Sequence, residues 1–199
     1  MKKATLAVLA ILVSVSVLAQ APAPAPAAAP PPASTFLTDY LSDVDGVSKK
    51  LVDLAGAVPA EKYVWRPATG VRSVSEVYMH VVGANYLLPS FLGAKMPEGF
   101  DRTMEKTVTD KAKVVEWLKK SIENVKATAS GLSDADLSKT VKAFGRDMTQ
   151  RRVLMIVQTH MHEHLGQSIA YARSNGVTPP WSEAAEQPAP AKKKQGACD

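Results

Sequence analysis

Apolar residues recur every three to four positions through most of the interior of this 199-residue chain, and that period suits helices and little else. Phe36, Leu37, Tyr40, Leu41, Val44, Val47, Leu51 and Leu54 share one face of a first helix, with Ser34 or Thr35 as N-cap and Gly56 near its end. Ser73 caps a second helix, and Glu76 three residues on completes a capping box. Its body is almost wholly apolar (Val74, Val77, Tyr78, Val81, Val82, Leu87, Leu88, Phe91), and Pro89 ends or kinks it. A third helix sets Val114, Val115, Leu118, Ile122 and Val125 against a lysine-rich face, with Asp110 as its cap. The fourth runs from near Thr149 to Arg173 or Ser174, and Asn175-Gly176 and then Pro179-Pro180 stop it. Between the last two helices, Thr140, Val141, Phe144 and Gly145 read as a short extended or hairpin-like piece. The fold class is therefore all-α, a four-helix bundle of antiparallel or crossover connectivity.

Residues 34–182 are the length of one ordinary domain, and the two ends read differently. Met1-Lys2-Lys3, the apolar run Leu6 to Leu18 and Ala19-Gln20-Ala21 together predict a cleavable export signal over 1–21, hence a secreted or periplasmic protein with no stable membrane anchor. The Pro/Ala tract at 22–33 is expected to be extended and disordered, as is the lysine-rich tail at 183–199. The single cysteine, Cys198, lies in that tail, so no intramolecular disulfide forms and the core alone must hold the domain.

The net charge of +5 is a property of the ends. Lys2, Lys3, Lys192, Lys193, Lys194 and Asp199 account for four of those charges, leaving residues 4–191 at +1. A nearly neutral domain argues against a nucleic-acid partner.

The four histidines sit at two places: His80 in the second helix, and His160, His162 and His164 in the fourth. Neutral imidazole is the commonest ligand for transition metals. His160 and His164 are four apart and share a helix face, while His162 turns away by about 200°. His80, flanked by Val77, Val81 and Ala84, is the one histidine left to complete a three-histidine site with His160 and His164. Three imidazoles leave coordination positions open, as in catalytic zinc sites. They suit Zn or Ni first, with Fe also compatible, over the oxygen-seeking Mg and Ca. Glu163 is out of phase for a zincin motif. Glu76, one turn before His80, is a fourth ligand, a supporting partner or simply the capping-box acid. Gly166 costs about 1 kcal/mol against alanine in mid-helix, which predicts close helix packing there. Gln167 is expected to orient a ligand or satisfy buried backbone.

Several of these residues form a longer pattern. Tyr63, Trp65, Arg66, Pro67, Gly70, Arg72 and Ser73 precede His80; then come His160, His164, Gly166, Gln167, Tyr171, Arg173, Gly176, Pro179 and Pro180. That arrangement resembles the DinB-like superfamily of four-helix-bundle, metal-dependent proteins, across residues 34–182. The resemblance implies a divalent site held by His80, His160 and His164, often Zn or Ni, and frequently a homodimer. It also implies kinship with thiol-dependent transferases and isomerases that use glutathione, bacillithiol or mycothiol. Most such relatives are cytoplasmic, which the export signal is not. The leading expectation is an exported metal-dependent hydrolase or transferase acting on a small molecule. A non-enzymatic metal- or ligand-binding module with a structural or sensory site is the alternative, and an interaction scaffold with plain core histidines the third.

Overall fold

The computed structural model describes residues 35–182. The expected export signal, Pro/Ala tract and lysine-rich tail, with Cys198, lie outside the described residues. No described helix is long and apolar enough to cross a membrane.

In chain order the elements are α1 (Thr35–Ala57), α2 (Val74–Ser90), α3 (Met104–Thr107), α4 (Lys111–Ser130), α5 (Asp134–Leu137), β1 (Thr140–Ala143), β2 (Arg146–Thr149) and α6 (Gln150–Ser174), with a 3-10 turn at Ala60–Lys62. The four long helices are those the periodicity predicts. The two short ones, α3 and α5, carry no apolar repeat of their own and were not expected. Three of the long helices, α2, α4 and α6, are bounded by local chemistry. The Ser73 hydroxyl accepts from Glu76 N–H, and the Glu76 carboxylate accepts from Ser73 N–H at 2.8 Å, so the capping box forms. Asp110 and Thr149 cap α4 and α6 through their side chains. Gly176, at φ 73°, turns the chain so that Val177 N–H reaches Ala172 C=O at 2.9 Å. Pro89 does not stop α2, which continues to Ser90.

Both α1 and α2 pack against α4 and α6. α1 and α2 thus lie across one diagonal of the bundle and α4 and α6 across the other, a crossover arrangement made possible by the long connectors at 58–73 and 131–149. Val44, Leu51, Leu54, Val81, Val82, Leu118 and Val153 meet in the centre with no solvent exposure. Tyr63 closes one end of this core: its ring is buried against Tyr78 and its hydroxyl donates to Ala55 C=O at 2.7 Å. Trp65 stays half-buried, its ring edge-on to Tyr171. β1 and β2 form an antiparallel hairpin pairing Thr140 with Thr149 and Ala143 with Arg146. Its two-residue turn, Phe144-Gly145, has positive φ at both positions.

Urea melts at pH 7.5 test this inside–outside assignment. Leu118→Ala is expected to lower unfolding free energy by about 2–5 kcal/mol and Ser73→Ala by about 1 kcal/mol. Met155→Ala, on an exposed face of α6, should stay within about 0.5 kcal/mol of wild type. Equal losses at Leu118 and Met155 would contradict the packing.

Candidate metal centre

α2 and α6 lie side by side, and the seam between them brings the predicted histidines together. His80 comes from the middle of α2; His160 and His164 come from successive turns of α6. One ring nitrogen from each can be chosen so that all three lie within 4.8 Å of one another. Nε2 of His160 and Nε2 of His80 are 3.1 Å apart, and the three ring centroids are separated by 4.4–5.0 Å. Two nitrogens on one tetrahedral Zn ion lie about 3.3 Å apart, so the rings need close by no more than about 1.5 Å to share an ion. The donor set therefore fits a transition metal. His162 is exposed, its Nδ1 2.9 Å from Gln158 C=O, as the helical phase predicts.

The far side of two rings is held by hydrogen bonds. His80 Nδ1 lies 3.0 Å from a carboxylate oxygen of Glu105, and an ionised carboxylate only accepts, so Nδ1 carries the proton. Gln167 Nε2 donates to the Tyr171 hydroxyl at 3.1 Å, which turns Gln167 Oε1 towards His164 Nδ1 at 2.8 Å and makes that nitrogen a donor too. In both rings Nε2 is left as a lone pair. His160 has no such brace: its Nδ1 is buried without a partner.

The charges agree with this reading. Burial, ahead of the neighbouring histidines and Arg72, lowers the His160 pKa to about 4. Burial also lowers His80, outweighing the opposing pull of Glu105. Burial works against ionisation of Glu105, but Arg72, whose Nε donates at 2.8 Å, and His80 hold its carboxyl below the usual range. At neutral pH the site is thus two or more neutral imidazoles beside a carboxylate, the protonation state that metal binding requires.

Glu105 is the residue the sequence did not announce. It stands in the unexpected α3, 25 residues from His80, with no motif around it. Glu76, by contrast, is fully occupied elsewhere. Its buried carboxylate takes the Ser73 N–H, both terminal nitrogens of Arg66 at 3.2 Å and Lys106 Nζ at 3.3 Å. It belongs to the cap and not to the histidines. Glu163 is exposed. Gly166 is exposed as well, and a Cβ there would meet nothing within 4 Å, so the close packing expected at that position is absent.

Comparison with known proteins agrees with the fold. The family model of the DinB superfamily matches residues 44–168, a stretch containing all three histidines. The uncharacterised protein YjoA of Bacillus subtilis (strain 168) is 24% identical over 127 residues, covering 63% of this chain and 82% of that protein. The crystal structure of a DinB-like protein from Bacillus cereus ATCC 10987 matches with a TM-score of 0.59 at 24% identity, over 73% of this chain and 93% of that one. The structure of B. subtilis YjoA matches with a TM-score of 0.55 at 21% identity, over 78% and 96%.

The lowered His160 pKa makes a sign-definite prediction. In the unfolded chain a histidine takes up its proton near pH 6.5, in the fold only near 4, so the unfolded state binds more protons between those values. This contribution to stability is complete above about pH 6.5 and is lost as pH falls towards 4. With chelator present throughout, the melting temperature should fall between pH 7.5 and 5, and His160→Gln should flatten that fall. An unchanged slope in the variant would show that His160 titrates normally.

Proposed function

We propose that this chain, which belongs to the DinB superfamily, is a metal-dependent enzyme, a hydrolase or transferase, whose ion is held by His80, His160 and His164. Zn or Ni is the first choice and Fe the next. One observation carries the enzymatic reading over a structural site: His80 and His160 form part of the wall of a cavity of about 430 Å³, so the histidines face a space that a small molecule can enter. The pattern at residues 1–21 supports a secreted or periplasmic setting.

A divalent ion held by these histidines would supply Lewis acidity beside that cavity. The chain's own residues do the rest. Glu105 keeps the proton of His80 on Nδ1, and Gln167 does the same for His164, which leaves both Nε2 lone pairs free for an ion. Arg72 holds Glu105 in place and ionised. His160, unbraced at Nδ1, is the ligand with most freedom to shift.

Protein purified without an affinity tag should contain close to one equivalent of transition metal by elemental analysis. The His160→Ala, His164→Ala double variant should contain almost none, and His162→Ala should match wild type. Equal metal in the double variant would sink the site. A chelator should lower the melting temperature at pH 7.5 and change it much less at pH 5, where protons compete for the ligands. Cobalt-loaded protein separates the enzymatic from the structural reading: azide should alter its visible spectrum if a coordination position is open, and a spectrum indifferent to azide marks a closed site.

A further inference from the structure

The cavity beside the histidines has a chemical character of its own. Its wall is largely apolar, with Leu87 from α2, Ile156 from α6, Phe100 and Met96 from the long connector, and Phe144 from the hairpin turn. Three charged side chains interrupt it: Arg72, Arg102 and Glu105. Glu105 is consumed by Arg72 Nε on one oxygen and His80 on the other. Arg72 retains its two terminal nitrogens, and the guanidinium of Arg102 has no hydrogen-bond or ion-pair partner among the described residues. The cavity therefore carries an excess of one positive charge, presented on planar groups that match a carboxylate.

Phe144 adds a second, independent sign of a ligand. It is the one non-glycine residue with positive φ among the described residues, at 53°. A bulky side chain is an outlier in that conformation, and asparagine or glycine would build the same turn without strain. Yet the ring stands 52% exposed at the cavity, touching Phe91 edge-on at 5.1 Å. Strain held at a binding surface, for a side chain the core does not bury, is what a ligand contact explains and folding does not.

We propose that the cavity receives a small organic carboxylate with an apolar, aromatic-sized body: the carboxylate on Arg102 and Arg72, the body between Phe100, Phe144 and Leu87. The proposal rests on the functional reading above for where the reacting end lies, towards the histidines, while its arginine half stands without the ion. It narrows the substrate to an amphipathic monoanion. Phosphate dianions would exceed the one net positive charge available, and uncharged apolar molecules would gain nothing from Arg72 and Arg102.

Calorimetry on the full chain, in zinc-loaded and in chelator-treated samples, tests it with 3-phenylpropanoate, 3-phenylpropanamide, acetate and phenylphosphonate. The acid should bind at least about tenfold more tightly than its amide or acetate, in both samples. Arg102→Gln, on an exposed loop, should erase most of the preference for acid over amide and leave amide binding alone. Phe144→Gly should weaken acid and amide alike, by about fivefold, without lowering the melting temperature. Equal affinity for acid and amide, no binding of either up to roughly 10 mM, tighter binding of phenylphosphonate in chelator, or wild-type behaviour of Arg102→Gln would each overturn the proposal. So would a preference for acid seen only with zinc, which assigns the carboxylate to the ion. Zinc content measured on the same samples keeps the two readings apart: a chain that takes up no zinc but retains an arginine-dependent preference defeats the metal and leaves the carboxylate site standing.

Discussion

The seam between α2 and α6 holds imidazoles where a bundle of this size ordinarily places aliphatic side chains, and much of the surrounding chain answers to that. A polar ring removed from water is costly unless its nitrogens find partners. His80 is satisfied by Glu105 and His164 by Gln167. The first of these partners is not on a long helix at all. It sits on a single helical turn, α3, that would have little reason to be ordered by its own sequence. Arg72 holds one carboxylate oxygen of Glu105 while His80 holds the other, so the short helix is tied both to α2 and to the connector just before it.

A second carboxylate, this one buried, strengthens the same tie. Glu76 is enclosed by donors from three places: its own cap at Ser73, Arg66 in the connector before α2, and Lys106 in α3. Burial would favour the neutral acid, but the Ser73 N–H, Arg66 and Lys106 outweigh it and hold the carboxyl below its usual range. Glu76 and His80 are four apart on α2, one turn above each other, and their partners Lys106 and Glu105 are adjacent in α3. Two neighbouring residues of one short helix thus meet two stacked residues of a long one, through an ion pair at Lys106–Glu76 and a hydrogen bond from the His80 ring to Glu105.

The four long helices, the caps of α2, α4 and α6 and the three histidines were legible because each rests on a local rule: a period, a box, a spacing of four. What stayed hidden depends on contacts between distant segments. Glu105 has no pattern around it, and its role exists only because the 91–110 connector returns to α2. Arg102 and Phe144 carry no motif; a phenylalanine at a left-handed turn position reads as an ordinary apolar residue until its dihedral is known. Gly166 misled in the opposite direction. A glycine in mid-helix predicts a close neighbour, and here α6 turns that position to solvent. The diagonal placement of α1 and α2 was likewise left open, since periodicity says which face is buried and not what buries it.

The crossover arrangement also sets an order of events. His160 and His164 are joined by a single turn of α6 and come into register as soon as that helix forms, whereas His80 is separated from His160 by 80 residues of chain. Closing a loop of that length costs more chain entropy than forming one helical turn. A chain with only α6 formed offers a two-point grip on an ion; the third point arrives with the docking of α6 on α2. Three-point coordination by these side chains would therefore require the assembled bundle, so that their spacing writes completion of the fold into the candidate site.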